Sequence, residues 1–170
     1  TTDKRVNTVT PILFSKYKTL KELSEAPLTS LEEILKPIGS FRKKAIYVKD
    51  IAYNLDTKYK GTVPTDKESL EKLKGVGRKT INVFLSEFYN YPAFAVDTHV
   101  ERISKRLRIA NKQDNVLKVE EKLKKFFPKD EWARRHLQLV LFGRYYCKAV
   151  KPDCISCPLK KICRAYEDNE

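Results

Sequence analysis

The sequence predicts an all-α protein of two helical lobes. Apolar residues recur at helical spacing along most of its 170 residues, and no stretch shows the sustained apolar–polar alternation of a strand. Capping residues, glycines and prolines separate the helical stretches at distances typical of globular helices. We place the boundary between the lobes near residue 91. Residues 1–91 then form a helical barrel and residues 92–170 form a second lobe, with a cleft between the two.

Three helices are expected in the first third of the chain. The first covers residues 3–20, where Pro11 either kinks the helix or marks its start. Ser30 and Glu33 have the spacing of a capping box and open a short second helix that Pro37 ends. The third helix covers residues 43–54 and has an apolar face.

A helix–hairpin–helix unit is expected over about residues 65–88. Thr65 and Glu68 form a second capping box, which opens the first helix of the unit. That helix ends at the turn Gly75-Val76-Gly77, and the next helix begins at about Arg78. We expect a positive φ in this turn, which glycine adopts without steric cost.

The second lobe is expected to contain three more helices, each preceded by a capping residue. They cover residues 98–107 after Asp97, residues 116–127 after Asn115, and a long stretch to about residue 143 after Asp130. An extended apolar segment precedes the first of them. The C-terminal segment that follows the last helix is expected to be short of regular structure.

The charge of the chain favours a polyanionic partner. Its 35 Lys and Arg residues exceed its 22 Asp and Glu residues by 13, which is typical of proteins that bind nucleic acid. No apolar stretch approaches the roughly 20 residues that span a bilayer, and the polar N-terminus does not resemble a signal peptide. The chain contains no methionine, so we expect that it was processed or cut from a longer protein.

The hairpin turn has the chemistry of a phosphate site. Backbone N–H groups at the start of its second helix are unpaired and lie at the positive end of the helix dipole. Lys74, Arg78 and Lys79 add positive charge, and the Gly75-Val76-Gly77 turn lets a DNA backbone approach. The alternative is a packing device, because two glycines between helices are common. The net positive charge favours DNA binding.

Lys79 and Asp97 are candidate catalytic residues. The positive end of the helix disfavours the ammonium form of Lys79, so its amine is a candidate nucleophile toward an electrophilic carbon. Asp97 could activate that amine or offset positive charge that develops on a sugar. Taken singly, a solvated lysine and an ordinary N-cap explain the two residues. His99 either contacts a phosphate or packs, and packing is slightly favoured.

The four cysteines lie close together near the C-terminus and indicate a metal site. They are Cys147, Cys154, Cys157 and Cys163. Without a secretion signal, such a group favours metal ligation over disulfides. Structural zinc sites usually have two Cys-x-x-Cys pairs, whereas this segment has one. Its longer spacings also suit a [4Fe–4S] cluster held by four thiolates, and spacing alone leaves the two alternatives nearly equal.

Three motifs together resemble the endonuclease III family of helix–hairpin–helix DNA glycosylases. They are Leu-Lys-Gly-Val-Gly-Arg-Lys-Thr at residues 73–80, Ala-Val-Asp-Thr-His-Val at residues 95–100, and Gly-Arg-Tyr-Tyr-Cys at residues 143–147 with the other three cysteines. The resemblance runs in order along nearly the whole chain. It implies two lobes with the active-site cleft between them, a [4Fe–4S] cluster, and binding of double-stranded DNA that contains damaged bases or abasic sites.

The resemblance also implies a reaction. Lys79 would attack C1′ of a flipped, oxidised pyrimidine nucleotide, expel the base, form a Schiff base and cut the strand by β-elimination. Asp97 matches the essential aspartate of the family, and the four cysteines match its cluster ligands. Monofunctional relatives lack a lysine at this position. A monofunctional glycosylase and a non-catalytic DNA-binding module derived from the family are the alternatives.

Two departures from the family pattern affect the expected DNA contacts. Relatives begin with one or two further helices, so we expect that the N-terminal part of the cluster domain is missing. Many relatives have a leucine-tyrosine wedge where this chain has Gly39-Ser40-Phe41-Arg42, so either Phe41 or Arg42 is expected to fill the duplex or the wedge is expected to be weaker. The expected DNA contacts are Ser40, Phe41, Arg42, Lys74, Gly75, Val76, Gly77, Arg78 and His99. We expect a cytoplasmic, nucleoid-associated monomer.

Overall fold

The computed structural model describes Thr1 and residues 3–167, which form helices and loops without a strand and confirm the all-α class. The α-helices of this part of the chain are α1 (Asp3–Lys16), α2 (Leu20–Glu25), α3 (Leu28–Leu35), α4 (Phe41–Thr57), α5 (Lys67–Glu71), α6 (Arg78–Tyr89), α7 (Thr98–Arg106), α8 (Val116–Phe126), α9 (Trp132–Tyr145) and α10 (Arg164–Glu167). Short 3₁₀ helices cover Lys129–Glu131 and Lys160–Ile162. None of these helices is long and apolar enough to cross a membrane.

The chain divides into two compact units, Thr1–Gly77 and Arg78–Glu170. The boundary between these units lies in the turn of the hairpin, whereas the sequence predicted a boundary near residue 91. The reason is that α6 is joined to the segment that follows it. The Asn82 side chain of α6 donates a hydrogen bond to the Phe94 carbonyl at 3.2 Å.

The core of the first unit lies where α2 and α3 pack against α4 and α1 packs against α3. Ala45 and Ala52 lie on one face of α4 and are almost fully buried, and their small side chains let the neighbouring helices approach closely. Leu31 of α3 and Val9 of α1 are buried in the same core. The burial of these apolar side chains is the main force that holds the unit together.

The single helix predicted for residues 3–20 is wrong, because the structure has two helices there. α1 ends at Lys16, and Thr19 caps α2. The Thr19 hydroxyl accepts a hydrogen bond from Glu22 N at 3.1 Å, and Glu22 Oε2 accepts one from Thr19 N at 3.3 Å. This reciprocal capping box holds Thr19 in an extended conformation, with φ −122° and ψ 157°, and so interrupts the helix.

The capping boxes predicted at Ser30 and Thr65 do not form as expected. Ser30 lies inside the first turn of α3, and its hydroxyl accepts hydrogen bonds from Lys16 Nζ at 2.8 Å and Tyr17 OH at 2.9 Å. In α5 the capping residue is Asp66, one position after Thr65. Short-range spacing therefore located the helices approximately but misassigned their caps.

The second unit is built around α7, α8 and α9, whose apolar faces surround the fully buried Phe94. Asp97 caps α7 and Asn115 caps α8, as predicted. The prediction that Asp130 caps α9 is wrong. Asp130 lies inside a 3₁₀ helix, and α9 begins after it without a side-chain cap.

Candidate active site

The turn between α5 and α6 requires glycine at one of its two glycine positions. Gly75 has φ +82°, and a Cβ atom there would collide with the Tyr47 ring of α4. A Cβ atom at Gly77 would meet nothing within 4 Å. The turn thus has the predicted positive φ, and it borders an open depression lined by Tyr47 and residues 71–77.

Lys74, at the end of the first hairpin helix, has an acidic partner within the first unit. Its Nζ lies 3.2 Å from Asp50 Oδ1 of α4, and its side chain is 68% exposed. Exposed ion pairs of this kind contribute little free energy. The ammonium group can therefore exchange this partner for a phosphate, and Lys74 stays a predicted DNA contact.

The turn before α4 presents two of its three predicted DNA contacts to solvent. Ser40 is exposed and adopts a left-handed conformation with φ +56°. Arg42 is also exposed, and its guanidinium lies 4.9 Å from the centre of the Phe41 ring and 3.9 Å from Glu32. Phe41 itself packs against the core of the first unit. Arg42 is therefore a better candidate than Phe41 for filling a gap in the duplex.

Arg78 begins α6 and forms an ion pair with Glu120 of α8. Arg78 Nε lies 2.7 Å from Glu120 Oε2, and Arg78 Nη2 lies 3.1 Å from Oε1. Lys124 Nζ also approaches Oε1, at 2.5 Å. Burial opposes ionisation of Glu120, but the hydrogen bonds from Arg78 and Lys124 prevail and lower its pKa. Arg78, which we predicted as a phosphate contact, thus anchors the start of α6 to α8.

Glu120 was not predicted as a site residue from the sequence. Its side chain is only 4% exposed, although glutamate is almost never buried without a partner. The available signal was its place in α8 between Val119 and Leu123, which are fully buried. A carboxylate beside such an apolar stripe indicates a buried ion pair, but the sequence does not identify the partner.

Lys79 and Asp97 both lie in the second unit, whereas a boundary near residue 91 would place them in different lobes. Lys79 is in the first turn of α6, and its side chain is exposed. Asp97 Oδ1 accepts hydrogen bonds from His99 N at 2.9 Å and from Val100 N at 2.8 Å. Among the described residues nothing donates to Asp97 Oδ2. One carboxylate oxygen therefore holds the start of α7, while the other is available to a ligand.

His136 of α9 contacts the segment that leads into Asp97 and was also not predicted from the sequence. Its Nδ1 lies 2.8 Å from the carbonyl oxygen of Ala95, two residues before Asp97. Burial lowers the pKa of His136, the Asp97 carboxylate raises it, and the Lys79 ammonium lowers it. One imidazole is thus within electrostatic reach of both groups. The only signal in the sequence is that histidine occurs just twice.

His99, the other histidine, lies between α7 and α9. Its Nδ1 is 3.2 Å from Arg102 Nη2, and a Cβ atom at Gly143 would lie 2.8 Å from His99 Cβ. Glycine at position 143 therefore lets the two helices approach closely. These contacts match the packing role favoured by the sequence, and the phosphate contact of His99 stays a prediction.

The four cysteines line one cavity of about 120 Å³ in the second unit. All four thiols are free. Burial raises the pKa of the Cys157 thiol, and the other three cysteines raise this pKa further. Arg106 Nη1 donates hydrogen bonds to Cys147 Sγ at 3.2 Å and to Lys148 O at 2.7 Å. The predicted ligands are therefore gathered around a single space.

Four free thiols around one cavity are a donor set that suits structural zinc and iron–sulfur clusters alike. A zinc ion needs its sulfur ligands about 2.3 Å from a common centre. The thiolates of an iron–sulfur cluster bind different iron atoms and so stand farther apart.

The chain is similar to base excision repair proteins along most of its length. The HhH-GPD superfamily, described as base excision DNA repair proteins, matches residues 1–129. Endonuclease III of Bacillus subtilis (strain 168) is 47% identical over 163 residues, which are 96% of this chain and 74% of that protein. Endonuclease III of Haemophilus influenzae is 41% identical over 169 residues, which are 99% of this chain and 80% of that protein.

Solved structures have the same fold, and two of those described here contain DNA. A trapped covalent intermediate of endonuclease III with DNA superposes with a TM-score of 0.94 at 48% identity and covers 99% of this chain and 79% of that one. A non-covalent complex of endonuclease III with DNA has the same TM-score and identity and covers 99% and 78%. A thermostable thymine-DNA glycosylase has a TM-score of 0.87 at 25% identity and covers 99% and 79%.

Proposed function

The chain belongs to the endonuclease III family within the HhH-GPD superfamily of base excision DNA repair proteins, and on this premise we propose that it is a bifunctional DNA glycosylase and abasic-site lyase. Its substrate is double-stranded DNA that contains an oxidised pyrimidine or an abasic site. The enzyme removes the damaged base and then cuts the strand by β-elimination through a Schiff base on Lys79.

The positions of Lys79 and Asp97 in the second unit support this proposal. Lys79 and Asp97 each lie at the start of a helix in the second unit. Asn82, one turn after Lys79 on the same helix, donates a hydrogen bond to the Phe94 carbonyl in the segment that leads into Asp97, so the two helix starts are joined. A similar protein of known structure, endonuclease III, has been trapped as a covalent intermediate with DNA. An amine nucleophile beside a carboxylate is the chemistry that such an intermediate requires.

In the proposed reaction the neutral Lys79 amine attacks C1′ of a nucleotide that has rotated out of the duplex. The Nζ–C1′ bond forms, and the glycosidic bond breaks with its electron pair leaving on the base. The Asp97 carboxylate accepts the amine proton or offsets positive charge on the sugar while the ring opens to the Schiff base. Loss of a C2′ proton then expels the 3′ phosphate, and water releases the lysine.

DNA binding is assigned to the hairpin and to the turn before α4. The backbone at Gly77 is open to a phosphate, and Lys74 lies beside it, so this turn can hold DNA without reading sequence. The exposed Arg42 is the candidate for filling the position of the flipped nucleotide, and Ser40 is assigned a contact with the DNA backbone. The net charge of +13 supplies a sequence-independent attraction. The proposed enzyme acts as a monomer at the nucleoid in the cytoplasm.

A [4Fe–4S] cluster is assigned to Cys147, Cys154, Cys157 and Cys163, supported by their shared cavity and by the spacing in the sequence. Its role when bound is structural, because the proposed reaction transfers no electrons. Iron and sulfide analysis of the purified protein tests the assignment. We expect about four irons per chain and broad visible absorbance, and a Cys157→Ser variant should lose most of the iron. Colourless protein with one zinc per chain would contradict the assignment.

Borohydride trapping on a duplex with an abasic site tests the lyase activity. We expect the wild-type protein to form a covalent adduct and Lys79→Ala to form none. Lys118→Ala is the matched control, because Lys118 is also an exposed lysine in the first turn of a helix, and it should trap DNA at the wild-type rate. Asp97→Asn should slow turnover by about 100-fold or more while DNA affinity stays close to wild type.

A duplex with an oxidised pyrimidine separates the remaining outcomes. Base release without strand cleavage would identify a monofunctional glycosylase. Salt-dependent DNA binding without base release or an adduct would identify a non-catalytic module. Trapping by Lys79→Ala at the wild-type rate would show that Lys79 is not the nucleophile.

A further inference from the structure

The segment that leads into Asp97 is buried but belongs to neither a helix nor a strand of the described chain. Residues 93–96 are at most 6% exposed, and within the described chain no strand lies beside them. A buried carbonyl without a hydrogen-bond donor destabilises a fold. A buried segment outside helices and sheets therefore depends on side chains to satisfy its backbone carbonyls.

Two side chains supply these hydrogen bonds. Asn82 Nδ2 donates to the Phe94 carbonyl at 3.2 Å, and His136 Nδ1 lies 2.8 Å from the Ala95 carbonyl. A carbonyl oxygen only accepts, so His136 Nδ1 must carry the proton. Asn82 is 2% exposed, and His136 is half-buried. Two consecutive carbonyls are thus held by donors from two different helices, α6 and α9.

These two hydrogen bonds lie next to the candidate catalytic pair. Asn82 is three residues after Lys79 on α6, so it lies within one helical turn of that residue. Ala95 is two residues before Asp97. The hydrogen bond from Asn82 therefore joins the helix of Lys79 to the segment of Asp97. The hydrogen bond from His136 joins that segment to α9.

We propose that His136 is a positioning residue for the reaction, which holds the Asp97 carboxylate at its working distance from the Lys79 amine by binding the Ala95 carbonyl. Asn82 is the second positioning residue. We call its hydrogen bond to the Phe94 carbonyl, together with that of His136 to the Ala95 carbonyl, the clamp. The inference rests on the proposed function. It requires no contact between His136 and the DNA, and it assigns no proton transfer to the imidazole.

The surroundings of His136 favour the neutral ring that this role needs. Burial lowers the pKa of His136, and the charges that act on it come from Asp97, Lys79 and Glu87. A neutral ring with its proton on Nδ1 leaves Nε2 without one. Asparagine can reproduce an Nδ1–H donor, because its Nδ2 lies at a similar distance from the backbone. Glutamine extends its amide farther and cannot.

Single-turnover borohydride trapping of His136→Asn and His136→Gln tests the clamp. A displacement of about 1 Å costs about 100-fold in rate, so we expect His136→Gln to trap abasic DNA about 10- to 100-fold more slowly than wild type. We expect His136→Asn to stay within about threefold. Both variants should bind abasic DNA with near wild-type affinity, because the lost contact is not a DNA contact.

Trp132→Phe is the matched control, because Trp132 Nε1 also donates from α9 to a backbone carbonyl, that of Phe127, at 3.0 Å. It should trap at the wild-type rate. If His136→Gln does not fold, Asn82→Leu tests the same clamp and should slow trapping by about 10-fold or more.

Several outcomes would overturn the inference. One is that His136→Gln or Asn82→Leu traps DNA at the wild-type rate. Another is that His136→Asn slows trapping as much as His136→Gln does. A third is that the control Trp132→Phe slows trapping as much as His136→Gln does. Absence of an adduct with the wild-type protein would overturn the proposed lyase itself, and the clamp with it. By contrast, if the wild-type protein forms the adduct and His136→Gln forms it at the same rate, only the clamp is overturned.

Discussion

At the scale of single residues, Glu120 connects the interior of the second unit to the helix of Lys79. It accepts hydrogen bonds from Arg78, the residue before Lys79, and from Lys124. A buried carboxylate is tolerated when cations neutralise it and hydrogen bonds satisfy its oxygens. Glu120 therefore contributes to stability and, through Arg78, to the position of the first turn of α6.

Replacement of Glu120 by Gln tests this role. It removes the charge at nearly constant shape, and we expect a loss of about 1–3 kcal/mol in the free energy of unfolding, because the charged hydrogen bonds to Arg78 and Lys124 weaken. Urea denaturation measures the loss. Glu121→Gln is the control, since the ion pairs of Glu121 with Lys118 and Lys125 are exposed and contribute little. Equal losses in the two variants would contradict a special role for Glu120.

His136 predicts a dependence of stability on pH. Its pKa in the folded protein is lowered from the ordinary value of 6.5, chiefly by burial. The unfolded chain therefore binds the proton more readily. The contribution of the neutral His136 ring to the free energy of unfolding is fully present above about pH 6.5 and is lost as the pH falls through the folded pKa. Between pH 8 and pH 5, the melting temperature of His136→Asn should fall less than that of the wild-type protein, because asparagine does not titrate. Parallel curves would exclude this linkage.

At the scale of elements, the hairpin turn shows that two glycines in one motif have different roles. Gly75 combines a left-handed φ with close contact to the Tyr47 ring, so the conformation of the turn depends on it. Gly77 has neither constraint, and its surroundings are open. Fold stability therefore depends on the first glycine, while the second leaves room for a phosphate.

Alanine substitutions separate these roles. Gly75→Ala should lower the free energy of unfolding by about 1–3 kcal/mol, because alanine is strained at positive φ and its Cβ meets Tyr47. Gly77→Ala should change stability little but weaken DNA binding, because a methyl group then stands where the phosphate approaches. Denaturation and fluorescence anisotropy with labelled duplex measure the two effects. Unchanged DNA affinity of Gly77→Ala would exclude close approach at this glycine.

The helix caps show which local sequence signals predicted the structure correctly and which did not. Asp97 and Asn115 were predicted as N-caps and are N-caps, because each stands directly before an amphipathic run. Ser30 has the same local signal but lies inside α3, where it accepts hydrogen bonds from Lys16 and Tyr17. Local capping preference was overridden there by contacts with a neighbouring segment of the first unit. The capping box at Thr19 was missed because the apolar periodicity of α1 continues into α2.

At the scale of the whole molecule, the charge of +13 predicts DNA affinity that depends steeply on salt. Each neutralised phosphate releases counterions, so about six contacts would reduce affinity by about 1,000-fold between 50 and 200 mM salt. Anisotropy titrations with undamaged duplex at several salt concentrations measure this slope. A flat salt response would contradict the assignment of phosphate contacts to the basic surface.

The sequence by itself determined the all-helical class, the hairpin turn, the N-caps of α7 and α8, and the four cysteines that share a cavity. These features follow from periodicity and from spacings of a few residues, which are local properties of the chain. Only the tertiary structure decided that Arg78 pairs with Glu120 and that His136 holds the segment of Asp97. The partners are 42 and 41 residues apart, and helix packing rather than local preference brings them together.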